Sequence, residues 1–196
     1  MAFINERTKE INCKIVYYGC PRCGKSTSLK QICDEIKKDI KGELISLTSE
    51  EDHTLYFDFV PVTLGQLGEY TIRLHLYTVP GEVAYEANRK IISKGVDGVV
   101  FVADSQLERI ENNLLSLTEL KDILHHEGID FSAVPHVIQY NKRDLPNAVP
   151  SKELKRLINK HSAPDFETVA TDGRGVYDAF KTIASKVLMD LKKAYQ

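Results

Sequence analysis

Between Ile15 and Ser26 the chain passes from an apolar strand pattern, Ile15-Val16-Tyr17-Tyr18, through Gly19-Cys20-Pro21-Arg22-Cys23-Gly24-Lys25-Ser26 into a helical pattern. A strand that breaks into GxxxxGKS and resumes as a helix is a phosphate loop. Its glycine turn aims backbone N–H groups at phosphate oxygens, with the positive end of the helix behind them. Lys25 is placed to reach the β- and γ-phosphates, and Ser26 to offer its hydroxyl to Mg²⁺. Gly19, Cys20, Pro21, Arg22, Cys23, Gly24 and Thr27 complete the expected cradle.

Asn141-Lys142-Arg143-Asp144 follows a second apolar strand pattern, Val134 to Gln139. Alone, four polar residues before a proline read as a solvated loop. Downstream of a phosphate loop and at a strand end they form an NKxD guanine reader. The Asp144 carboxylate can accept hydrogen bonds from guanine N1 and N2, a donor pair that adenine does not present, so GTP and GDP are the expected ligands and ATP is not.

Strand and helix patterns alternate along the chain without repeats or a Pro/Gly/Ser-rich linker, which predicts one layered α/β domain over residues 1–196. Strands are predicted at Cys13 to Tyr18, Leu55 to Leu64, Tyr70 to Val79, Gly98 to Ala103, His136 to Tyr140 and Phe166 to Ala170. Helices are predicted at Lys25 to Lys38, Val83 to Ser93, Glu108 to His126, Ser151 to Asn159 and Gly175 to Lys193. The second and third strands are separated only by a short loop containing Gly65 and Gly68, so they must pair antiparallel. The other connections carry helices, so the sheet is mixed, with ligands gathering at the carboxyl ends of its parallel strands. Alternation puts Leu74 and Leu76 on one face and His75 with Tyr77 on the other, which makes His75 a strand residue against a helix rather than a ligand.

A net charge of -2 and a mixture of both signs give no footprint for nucleic acid. No apolar stretch approaches the roughly 20 residues that cross a bilayer, and Met1 to Asn5 has no signal-peptide pattern, so a cytoplasmic location is expected. Ala2 stands where a myristoylated glycine would be, and the last cysteine is Cys33, so no direct membrane anchor is expected. Cys20-x-x-Cys23 looks like half a metal site. Inside a phosphate loop a metal would compete with nucleotide, and no second cysteine pair completes a set, so the cysteines are read as reduced packing residues.

A switch must also sense the γ-phosphate. Thr54, before the second strand, is one candidate, able to reach both Mg²⁺ and the γ-phosphate. The Gly81 amide is another, holding the following segment only in the GTP state. Here the chain resembles the bacterial MglA-type small GTPases of gliding motility and cell polarity. The matching text is Ile11 to Gly19, Thr54 to Phe59, Leu76-Tyr77-Thr78-Val79-Pro80-Gly81, Lys94 to Ser105 and Asn141 to Pro146. The resemblance implies a three-layer small GTPase fold: a mixed six- to seven-stranded sheet with one antiparallel strand and helices on both faces. It implies that Lys142 flanks the guanine plane, that the Ala170 amide, next to Thr171, meets guanine O6, and that a neutral Thr78 replaces the aspartate most small GTPases use to support Mg²⁺. It also implies a monomer that binds polarity or motility effectors, takes an MglB-type roadblock homodimer as GTPase activator, and reaches the cell pole through partners.

Two departures from that family touch hydrolysis. His53 stands where relatives carry an arginine finger, and Glu82 where they carry a glutamine; Pro21 also replaces a loop glycine, removing an N–H. An arginine finger contributes about 10³ to 10⁵ in rate, and imidazole cannot reproduce its planar five-donor fork. A carboxylate at Glu82 cannot donate an amide hydrogen, although it can act as a base toward water. Slow intrinsic hydrolysis follows as the expectation, with a nucleotide-holding pseudo-GTPase as the alternative.

Overall fold

The computed structural model describes residues 2–36, 45–48, 54–80 and 86–194. Along them run β1 (Phe3–Asn5), β2 (Glu10–Tyr18), α1 (Lys25–Ile36), β3 (Ile45–Thr48), β4 (Thr54–Leu67), β5 (Tyr70–Thr78), α2 (Glu86–Ser93), β6 (Gly98–Asp104), α3 (Ile110–His126), β7 (His136–Asn141), α4 (Ser151–Ile158), β8 (Asp165–Glu167) and α5 (Val176–Ala194). The sheet order is β3-β4-β5-β2-β6-β7-β8, with β1 attached to β2. β5, β2, β6, β7 and β8 are mutually parallel, and β4 runs against them beside β5.

β2 is the axis. Cys13, Ile15 and Tyr17 point to one face and join Leu29 and Ile32 of α1 with Ile183 and Val187 of α5. Val16 and Tyr18 point to the other and join Ile92 of α2, Leu117 and Leu120 of α3, and Leu154 and Ile158 of α4. β6 and β7 are buried along their whole length, which is why β6 reads as a nearly unbroken apolar run instead of alternating. α5 can lie directly on β6 because of Gly98: a Cβ there would meet Val187 Cγ2 at 2.6 Å.

Two short strands add to the pattern read from the sequence. β1 pairs antiparallel with Glu10 to Asn12, on the side of β2 that β6 reaches only from Ile15 onward. β3 pairs antiparallel with β4 at the sheet edge. Gly65 is inside β4 and not in a loop; the register shifts between Thr63 and Gly65, a bulge that lets the strand run on to Leu67. The turn is Gly68-Glu69, with Gly68 at φ 60, the conformation a two-residue hairpin asks of its first residue. The last strand stops at Glu167, short of Ala170, because Val169 bonds Arg174 instead and turns the chain toward α5.

Candidate functional site

At the carboxyl end of β2 the chain has almost no room. A Cβ on Gly19 would meet Val102 O at 2.2 Å, and one on Gly24 would meet Asn141 Nδ2 at 2.1 Å. Glycine is therefore imposed twice, once by the neighbouring strand and once by the NKxD loop, and both residues have positive φ. Between them, the Cys23 N–H donates to Cys20 O at 3.4 Å, and Ser28 N–H to Gly24 O at 2.9 Å starts α1. Lys25 is buried, and its Nζ donates to Gly19 O and Cys20 O, both at 2.8 Å, with Cys23 Sγ at 3.7 Å. An ammonium has three donors. All three are engaged, two on carbonyls and the longest on the Cys23 sulfur, the weak acceptor that a phosphate oxygen would replace.

Ser26 and Thr27 are half-buried in the first turn of α1, and Arg22 is exposed. Thr78 is fully buried at the end of β5, paired with Tyr17 of β2. Thr54 is the first residue of β4, in register with Thr48. His53, Gly81 and Glu82 lie outside the described residues.

Asn141 joins the two halves of the site. Its Nδ2 donates to Cys23 O at 2.7 Å, and its Oδ1 accepts from Ala170 N at 2.9 Å and Thr168 Oγ1 at 3.1 Å. The phosphate loop, the NKxD loop and the 168–171 segment are thereby one hydrogen-bonded wall. Gln31 of α1 adds a bond from Nε2 to Thr171 O at 3.2 Å. The Ala170 amide is already engaged by Asn141, so a guanine O6 at that place would share its hydrogen. Lys142, at φ 64, sends Nζ to Asp104 Oδ2 at 2.6 Å, which fixes its methylene stem along the wall. Asp144 is exposed and makes no hydrogen bond among the described residues. Arg143 anchors the loop through Nη1 to Val149 O at 2.6 Å.

Sequence reasoning did not assign roles to Asp104 and Asn113. Asp104 is wholly buried, accepts from Lys142 and from Gln106 N at 3.1 Å, and has Arg109 Nε at 3.8 Å. Asn113 of α3 accepts from Asp104 N at 3.0 Å and donates to Asp104 O at 2.8 Å, and its Oδ1 also meets Cys20 Sγ at 3.4 Å. The available signal was an acid closing the apolar run Val99 to Ala103, where a buried charge needs a cation. Among the described residues, Lys25, Lys142 and Arg109 bring positive charge to this end of the sheet, with Asp104 between the last two.

A phosphate loop stitched to a purine-reading loop at the carboxyl edge of a mixed sheet, with helices on both faces, is the architecture of small GTPases. Comparison with known proteins specifies it further. The sequence matches the model of the ADP-ribosylation factor family over residues 1–187. It is 53% identical over 193 residues to the mutual gliding-motility protein MglA of Myxococcus xanthus (strain DK1622), spanning 98% of this chain and 99% of that protein. It is 24% identical over 184 residues to ADP-ribosylation factor-like protein 6 of Caenorhabditis briggsae, spanning 91% of this chain and 87% of that protein. With human ADP-ribosylation factor-like protein 4A it shares 32% identity over 100 residues, or 50% of this chain and 46% of the other. The chain belongs to the ADP-ribosylation factor family, as an MglA-type small GTPase. Among the described residues no helix is long and apolar enough to cross a membrane.

Proposed function

We propose that the chain, as a single G domain, is a GTP-binding switch in gliding motility or cell polarity that hydrolyses GTP slowly. The observation that carries the nucleotide reading is Asn141, whose one amide ties the phosphate loop at Cys23 to the purine wall at Ala170. That spacing suits a ligand with an anionic tail at one end and a flat base at the other. The tail lies against the Gly19 to Ser26 amides and Lys25 Nζ. The base lies along the Lys142 stem, with Asp144 accepting from guanine N1 and N2. Because Asp144 is exposed and has no hydrogen-bond partner among the described residues, selecting guanine breaks no bond seen among them.

The donor set also suits Mg²⁺: the Ser26 hydroxyl stands at the start of α1, and Thr54 opens the neighbouring strand. When bound, the ion neutralises charge between the β- and γ-phosphates. Thr78, buried and neutral, would support such an ion only indirectly. The motility assignment comes from the likeness to the mutual gliding-motility protein of Myxococcus, 53% identical along nearly the whole chain. The same likeness supports an MglB-type homodimer as activator.

Slow turnover rests on His53 and Glu82. Without a guanidinium fork, roughly 4 to 7 kcal/mol of barrier lowering is forfeited, and a carboxylate beside a triphosphate opposes the charge that the transition state develops. The same two residues favour the second reading, a module that holds guanine nucleotide with negligible turnover. Single-turnover GTP cleavage of the wild type, set against His53→Arg with Glu82→Gln, separates them. A faster double variant is expected; a wild type of equal speed removes the argument from these two residues. Nucleotide released on denaturation then distinguishes the readings, because GDP accumulates only where a hydrolytic cycle runs.

A further inference from the structure

The phosphate loop carries a feature that nucleotide binding does not use. Cys20-Pro21-Arg22-Cys23 is a turn closed by the Cys23 N–H on Cys20 O at 3.4 Å, with Arg22 at φ 59. Proline followed by a left-handed residue fits a type II turn, whose end Cα atoms lie within about 7 Å. Disulfides span Cα separations of about 4.4–6.8 Å, so the turn keeps these residues near bridging range. Both thiols are buried, with Cys20 Sγ donating to Asn113 Oδ1 at 3.4 Å and Cys23 Sγ accepting from Lys25 Nζ at 3.7 Å.

The two thiols are electrically unequal. Burial alone raises the Cys23 thiol, but the contact with Cys20 and the Lys25 ammonium outweigh it, with Lys142 adding to them, and draw it down to about 6. Cys20 moves the opposite way, raised first by its contact with Cys23 and then by burial. By contrast Cys13, buried without such neighbours, is pushed up to about 12. When the turn opens far enough for a peroxide to reach the buried pair, one thiol is suited as the nucleophile and the other as its resolving partner.

We propose that Cys20 and Cys23 form a dithiol modification site, which a peroxide oxidises to a disulfide that loosens the grip of the phosphate loop on guanine nucleotide. The proposal rests on the nucleotide reading above. In the first step the Cys23 thiolate attacks one peroxide oxygen, the O–O bond breaks, and a sulfenic acid and hydroxide form. In the second the Cys20 sulfur attacks the Cys23 sulfur, the S–OH bond breaks, and hydroxide leaves with the Cys20 proton as water. The two thiols lose two electrons and the peroxide gains them.

The bridge acts on the site through three carbonyls. Drawing the sulfurs to about 2.05 Å pulls on the turn whose Cys20 O holds Lys25, whose Cys23 O holds Asn141 and whose Pro21 O holds Arg109 Nη2. A loop fitted to phosphate in the reduced form is displaced at all three anchors together. Linkage makes the effect reciprocal: bound nucleotide resists oxidation to the extent that oxidation weakens nucleotide.

The test treats the reduced, full-length protein with hydrogen peroxide, with and without excess GDP and Mg²⁺. Disulfides are mapped by peptide mass spectrometry, and the Kd for a fluorescent GDP is measured before oxidation, after it, and after dithiothreitol. The expected result is a Cys20–Cys23 linkage, slower to form under excess GDP, with GDP affinity on the order of tenfold weaker and recovered on reduction. In Cys20→Ser, peroxide should leave Cys23 as a dimedone-reactive sulfenic acid with no linkage. A linkage that leaves Kd unchanged, or oxidation that carries wild-type Cys23 to sulfinic acid without bridging, overturns the proposal while sparing the nucleotide reading. A reduced protein that fails to bind GDP overturns both.

Discussion

Asp144 and Asn141 are three residues apart and perform unlike tasks. Asp144 is exposed, whereas Asn141 is buried and spends its amide on Cys23, Thr168 and Ala170. Removing Asp144 therefore touches recognition and leaves the wall standing. Two hydrogen bonds to a charged acceptor are at stake, so Asp144→Ala should cost about 3 kcal/mol of guanosine affinity, roughly a hundredfold in Kd. Competition calorimetry with GDP and ADP checks this, with ADP binding expected to change little; undiminished preference for GDP would contradict the assignment. The division of labour was only partly legible in the chain. The motif advertised a guanine reader, but a sequence does not show that the Ala170 amide and the Lys142 ammonium have protein partners, because those partners sit at Asn141 and Asp104, on neighbouring strand ends brought together by the sheet.

At the scale of elements, β7 carries the NKxD loop at one end and a titrating group at the other. His136 opens the strand, buried, with its Nδ1 against Val134 O at 2.7 Å and Phe131 stacked at 4.3 Å. Burial lowers its pKa, and the neighbouring His161, Lys186 and Lys121 push the same way, against the Val134 carbonyl, which favours the proton. A depressed imidazole binds fewer protons folded than unfolded. Stability is thus complete above the unfolded value of about 6.5 and declines as pH falls through the window below it. Urea midpoints measured from pH 8 to 5 should drop on the acid side, with a shallower slope in His136→Gln. Half-buried His75 shifts in the same direction, by burial and by Arg73, and contributes the same sign. Elements such as β6 and α3 were legible because an apolar run or helical spacing continues for five residues or more. β1 and β3, with three and four residues, are too short to show a period, and their pairing comes from neighbours distant in sequence.

Taken whole, the molecule has two cores on opposite faces of one sheet and a binding edge to which several elements contribute. α1, β6, β7 and the segment before α5 meet at that edge through Asn141, Asp104 and Gln31. A ligand that bridges them binds the folded state alone, so its free energy appears as stability. At a GDP concentration of 100 Kd with Mg²⁺ the gain is about 2.7 kcal/mol, which for a chain of this size corresponds to a rise in Tm of about 5–10 °C. Scanning calorimetry with GDP against ADP checks both size and selectivity. The arrangement around β2 has its own outcome. That strand borrows β1 to cover Glu10 to Asn12 below the point where β6 takes over, so the chain wears its first segment as a zip fastener on its most central strand. Fusion partners placed ahead of Phe3 will tug on this seam, and cargo appended at the opposite terminus will leave it closed.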